Sequence, residues 1–187
     1  ISRYNEKCGD DEMDNDEIGE TTSCVMPAIG AWSDLAIHDP ARGAHGSFYV
    51  SATGYATFDD DTLEDAGRMD TLWWFDGAGA WHPTRLRGNA SATRAPAFAV
   101  AVEPDDIGIV YAGTSPGVWK GQLTFNGTQP EWAWEIFSNG LPDAYVQDLS
   151  FFKNGDLKLL RAAMQARGVW EVDLSVPPSP PRRTYLR

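Results

Sequence analysis

Two acidic stretches hold the side chains best suited to chemistry. Between Cys8 and Cys24 runs GDDEMDNDEIGETTS, where Asp10, Asp11, Asp14 and Asp16 are candidate ligands for calcium, a hard cation that takes six to eight oxygens. The spacing departs from the EF-hand template, which would put Ile18 and Val25 where oxygen ligands belong, so a solvated acidic loop is the first expectation and calcium the alternative. The second stretch, from Tyr55 to Asp70, carries Asp59, Asp60 and Asp61, a candidate ligand loop. Trp132, beside the hairpin NGTQPEW, is a candidate aromatic platform for carbohydrate, whereas Trp134 is expected in the core. Cys8 and Cys24, the two cysteines of the chain, are expected to close a disulfide over a segment too polar to order itself, with two reduced thiols as the alternative. With two Cys and no nearby His, a zinc site is not expected.

Catalytic chemistry is harder to place. Glycoside hydrolysis needs two carboxyl groups roughly 5 to 9.5 Å apart across a cleft, and abundance of acid does not select a pair. His38 and His45 have no nucleophile near them in sequence, and turn or surface roles are expected. No Gly-x-Ser-x-Gly, HExxH or phosphate-cradling loop occurs, and Gly77-Ala78-Gly79 reads as a hairpin turn because no helix follows it. Asn89-Ala90-Ser91 and Asn126-Gly127-Thr128 are glycosylation sequons, meaningful only in a eukaryotic secretory protein.

The elements that must carry these residues are strands. Apolar alternation broken by Gly, Pro and Asn predicts strands in WSDLAIHDPARG, GSFYVSATGY and DTLWWFDGAGAWHPTRL, the last holding two strands about a Gly-rich hairpin. The cycle restarts with AFAVAVEPDD, GIVYAGTS, GVWKGQLTF and WAWEIFS, and again with AYVQDLSFFKNG, DLKLLRAAMQA and GVWEVDLS. Gly117-Val118-Trp119 and Gly168-Val169-Trp170 lie 51 residues apart. Leu35, Val100 and Leu149 take the same place on successive first strands, and Trp73 or Trp74, Trp119 and Trp170 on successive third strands.

Repeats of strands at this period predict an all-β chain of four-stranded antiparallel blades, part of a six- to eight-bladed β-propeller. The expected blades span about 29–90, 96–141 and 143–176, the last lacking a fourth strand. Residues 1–28 form an acidic N-terminal segment, and the Pro-rich 177–187 reads as a linker. An open arc of blades exposes apolar faces and sheet edges, so further blades are expected upstream, in a partner chain or in a symmetric copy. A β-sandwich is the structural alternative.

At these residues the chain resembles the BNR and two-component-regulator families of propeller repeats. SNGLPDAYVQDL is similar to their inter-blade segment, VYAGTSPGVWK and AMQARGVWEVDLS to their second and third strands, and FDGAGAW to a degenerate Asp box in which Asp76, Gly77 and Trp81 fit. Trp74 stands in the Ser position of that box and Ala78 in the second Gly position. The resemblance covers roughly residues 30 to 175 and implies a sialidase-like superfamily fold. It leaves function open, since such propellers include hydrolases, receptors and structural modules. Arg94-Ala95-Pro96 is only a faint echo of the sialidase Arg-Ile-Pro signature.

A net charge of −12 argues against nucleic-acid binding and against adsorption to an anionic membrane. No apolar run reaches the length of a membrane span. The start at Ile1 reads as that of a processed or truncated chain. The expectation is a non-catalytic module for protein or carbohydrate binding and assembly, part of a larger secreted or envelope protein. Its expected partners are the other blades or a partner chain, with no cofactor unless calcium binds. The alternative is a glycoside-acting enzyme of sialidase or xyloglucanase type whose remaining blades lie outside this chain.

Overall fold

The structure, a computed structural model, describes residues 32–39, 46–52, 70–86, 96–137 and 140–175. The acidic segment 1–28, the loop with Asp59, Asp60 and Asp61, and the tail 177–187 lie outside the described residues.

Among the described residues there are eleven strands and no helix. They are β1 (Trp32–Asp39), β2 (Ser47–Ala52), β3 (Leu72–Phe75), β4 (Trp81–Pro83), β5 (Ala97–Val102), β6 (Ile109–Thr114), β7 (Gly117–Asn126), β8 (Gln129–Ile136), β9 (Val146–Asn154), β10 (Leu157–Met164) and β11 (Gly168–Asp173). Each stands where alternation and turn residues predict one. β1 stops at Asp39, before Pro40, which has no N–H to give a ladder.

Consecutive strands pair antiparallel, making sheet A from β1 to β4, sheet B from β5 to β8 and sheet C from β9 to β11. Among the described residues the sheets number three, where a sandwich would have two. They stack through their first strands, with β5 against both β1 and β9. Ala97, Ala99 and Ala101 on β5 are all buried, and their small side chains let neighbouring strands approach from both faces. Tyr49, Trp74, Val100, Trp119 and Trp134 fill the core between sheets A and B. Ala99, Tyr111, Val118, Val146, Leu149 and Leu160 fill the core between sheets B and C. Each fully buried large side chain contributes about 1.5–3 kcal/mol.

The register resolves the repeat. Leu35 pairs with Val50 and Val50 with Trp73 in sheet A. Val100, Ala112 and Trp119 form the corresponding row in sheet B. Leu149, Ala162 and Trp170 form it in sheet C. Trp73, and not Trp74, is therefore the counterpart of Trp119 and Trp170. Because paired residues share a face, the rows of sheets B and C look toward the sheet that precedes their own, and the row of sheet A looks away from sheet B. Trp74 sits one position along and faces sheet B.

Candidate functional site

A group of aromatic side chains with polar tips lies at the seam between sheets A and B. Tyr49 on β2 is buried by the alternation that sets it opposite Trp74. Trp132, half-buried on the edge strand β8, donates its indole N–H to Tyr49 Oη at 3.1 Å. Its ring meets Trp74 edge-on at 5.7 Å and Tyr49 at 6.4 Å. Trp74 also touches His82 and the exposed Phe125. Burial pushes the Tyr49 phenol well above its ordinary range, although the Trp132 bond works against it, so Tyr49 stays neutral and accepts that bond. One flank of Trp132 is thus committed to the seam. Trp134 is buried, donates its N–H to the Thr84 carbonyl at 2.9 Å and lies over Gly121, where a Cβ would come within 2.7 Å of its ring.

A depression of about 330 Å³ opens on sheet B, lined by Lys120, Gln122, Ala133, Trp134 and Glu135. Lys120 Nζ and Glu135 Oε1 stand 3.8 Å apart across β7 and β8, so its cation and anion offset each other.

Two polar groups escaped sequence reasoning because their members are far apart in the chain. Asp70 is buried where β3 begins, and its carboxylate accepts from the backbone N–H groups of Leu72 and Arg85. It thereby ties the exit of β4 to the entry of β3. At the junction of sheets B and C, Lys158 reaches Glu103, which is 8% exposed, and lies 3.5 Å from Asp105, to which Lys153 also bonds. The Glu103 hydrogen bond, opposed by partial burial, raises Lys158 above its ordinary value. The Lys153 bond holds Asp105 below the usual carboxylate range. Burial and the neighbouring Glu103 carboxylate raise the Tyr111 phenol. These charges pair and satisfy one another, an arrangement suited to holding two sheets together.

Of the candidate site residues read from the sequence, Trp132 is described. Asp10, Asp11, Asp14, Asp16, Cys8, Cys24, Asp59, Asp60 and Asp61 lie outside the described residues. So do His45, Asn89, Arg94 and Ala95. Asn126 is exposed at the β7–β8 turn and donates to Glu131 Oε1 at 3.3 Å. Among the described residues no three His, Cys, Asp or Glu side chains gather as a metal would need. Nor is any helix there long and apolar enough to cross a membrane. Against models of known protein families and against curated proteins, the chain has no match.

Proposed function

We propose that the chain is a sector of a β-propeller and serves as a non-catalytic module for binding and assembly in a secreted or envelope protein. The observation that carries this reading is the row repeated in three successive sheets, Leu35–Val50–Trp73, Val100–Ala112–Trp119 and Leu149–Ala162–Trp170. Three meanders in series, stacked through their first strands with one register, are what consecutive blades require. Support for a non-catalytic role comes from the employment of several charged groups among the described residues. Glu103 and Asp105 are paired with lysines, Asp70 and Asp76 bind backbone N–H groups, and Glu171 pairs with Arg161 at 2.7 Å.

Inter-sheet stacking is tested at Asp34, whose Oδ2 accepts the Val100 N–H of the next sheet at 2.8 Å. Asp34→Ala is expected to speed exchange of the Val100 amide about tenfold or more, as loss of a charge-assisted bond implies. Unaltered exchange would count against the sector reading. A panel of chromogenic glycosides is expected to show no turnover, and sustained turnover of any one would replace the module with a hydrolase.

A further inference from the structure

The third strands of the sheets differ in a way that face-to-face stacking does not explain. β3 is buried at every position and β7 over most of its first half, whereas β11 is exposed at all but one position. Trp170 looks toward sheet B as Trp119 looks toward sheet A, so each ring has a preceding sheet to cover it. Trp119 is nevertheless 4% exposed and Trp170 39%. The difference lies at their sides. β8 flanks Trp119 through Ile136, and β4 flanks Trp73 through Pro83. Among the described residues no strand flanks β11 on the side away from β10.

Sheet B carries a second sign of the same gap. Lys120 pairs with Glu135 at the positions that Trp74 and His82 hold in sheet A. In sheet A that pair is roofed from the following sheet's fourth strand by Trp132, whose ring lies 5.7 Å from Trp74. In sheet B the pair lines the open depression with Gln122 and Ala133. Lys120 also pairs with Tyr111, which faces sheet C, so the depression lies where a fourth strand of sheet C would pass. Its lining is charged and polar where sheet A offers aromatic rings, so the strand that fits it presents polar side chains.

We infer, on the reading that sheet C is a blade like the other two, that residues 182–187 of this chain form its fourth strand, antiparallel to β11. In sheets A and B the fourth strand is the next stretch of chain after the third. After β11, Pro177, Pro178, Pro180 and Pro181 have no N–H to give, and a run of successive donors resumes at Arg182. Residues 174–181 easily span the roughly 4.8 Å to a neighbouring strand. One register sets Tyr185 opposite Trp170, Leu186 opposite the 71% exposed Val169, and Arg182 opposite Asp173. Aromatic, apolar and opposite-charge pairs of this kind each stabilise a sheet. The same register turns Arg183 and Arg187 toward sheet B, where the Glu135 side chain is 70% exposed. Charge favours the match, since 182–187 holds three Arg and no acid in a chain of net charge −12. The segment is then a staple along the open edge of sheet C, and the prolines before it form the turn.

The experiment is amide hydrogen exchange on the 187-residue chain, beside a variant carrying Thr184→Pro and Tyr185→Pro. Successive N–H groups of a strand alternate in direction, so one of the two prolines removes a donor aimed at β11. In the unsubstituted chain the β11 amides on the edge away from β10 are expected to be protected. In the variant they are expected to exchange about tenfold faster or more, while β10 amides keep their rates and circular dichroism shows the sheets intact. Edge amides that exchange as fast as open backbone in the unsubstituted chain would overturn the inference. So would protection that survives both prolines, or protection that rises with protein concentration, since each assigns the edge to another segment or another molecule. The sector reading keeps its separate test, because the Val100 amide reports on the junction of sheets A and B and not on β11.

Discussion

Asp76 shows how much one side chain settles locally. Its Oδ1 accepts the N–H groups of Ala78, Gly79 and Ala80 at 2.7, 3.0 and 3.0 Å, and His82 Nε2 stands 3.5 Å from Oδ2. Gly77 and Gly79 take positive φ in the same turn, which lets the chain wrap around the carboxylate. Trp81, just beyond, packs edge-on against Phe48 at 5.5 Å. Partial burial works to raise the Asp76 pKa, but the three backbone donors and His82 outweigh it and the net shift is downward. The carboxylate therefore stabilises the fold at pH values above the ordinary Asp range, and that contribution is lost as pH falls through the lowered folded value. Asp76→Ala is expected to cost about 1–2 kcal/mol at neutral pH and to flatten the acid side of the stability profile. Urea melts from about pH 2 to about pH 7 would check both effects.

At the scale of elements, the junctions between sheets depend on close approach and on paired charge. Gly113 on β6 faces sheet C, where an added Cβ would meet Val146 Cγ1 at 2.6 Å and Ala99 Cβ at 3.2 Å. Both neighbours are fully buried, so neither has room to retreat. Gly113→Ala should destabilise by about 1–3 kcal/mol through overpacking, read as a lowered urea midpoint at constant slope. The Glu103–Lys158 pair joins the same two sheets from their surface. Lys158→Ala should cost roughly 2–3 kcal/mol, below the figure for a fully buried pair because Lys158 keeps some solvent contact. Much of that loss is an orphaned Glu103 carboxylate, so adding Glu103→Gln should recover part of it, which a double-mutant cycle measures. The raised Lys158 contributes stability that is present below the ordinary lysine pKa and lost as pH rises through the folded value. The lowered Asp105 contributes stability that is present above the ordinary carboxylate range and lost as pH falls. The junction is therefore most stable between those limits, and Lys158→Ala should remove its alkaline sensitivity.

For the whole molecule, what was legible in the sequence followed from local rules. Period-two alternation and Gly, Pro and Asn punctuation placed the strands, because a strand's two faces and its turns are set by neighbours in the chain. The recurrence of Gly-Val-Trp and of Asp-Leu marked the equivalent positions for the same reason. Which tryptophan completes the row in sheet A was not legible, since Trp73 and Trp74 are identical in type and only cross-strand register assigns one to each face. The employment of Trp132, Asp70, Glu103 and Lys158 was equally hidden. Their partners lie 83, 15, 55 and 55 residues away, and no local pattern reports distances of that kind. Leu35 and Val100 look alike as letters, yet one is exposed and the other buried, because burial depends on the neighbouring sheet and not on the residue. The sequence by itself determined the strands and their repetition. Only the tertiary structure decided which repeated faces are covered within the chain, because covering a face is a property of how sheets stack.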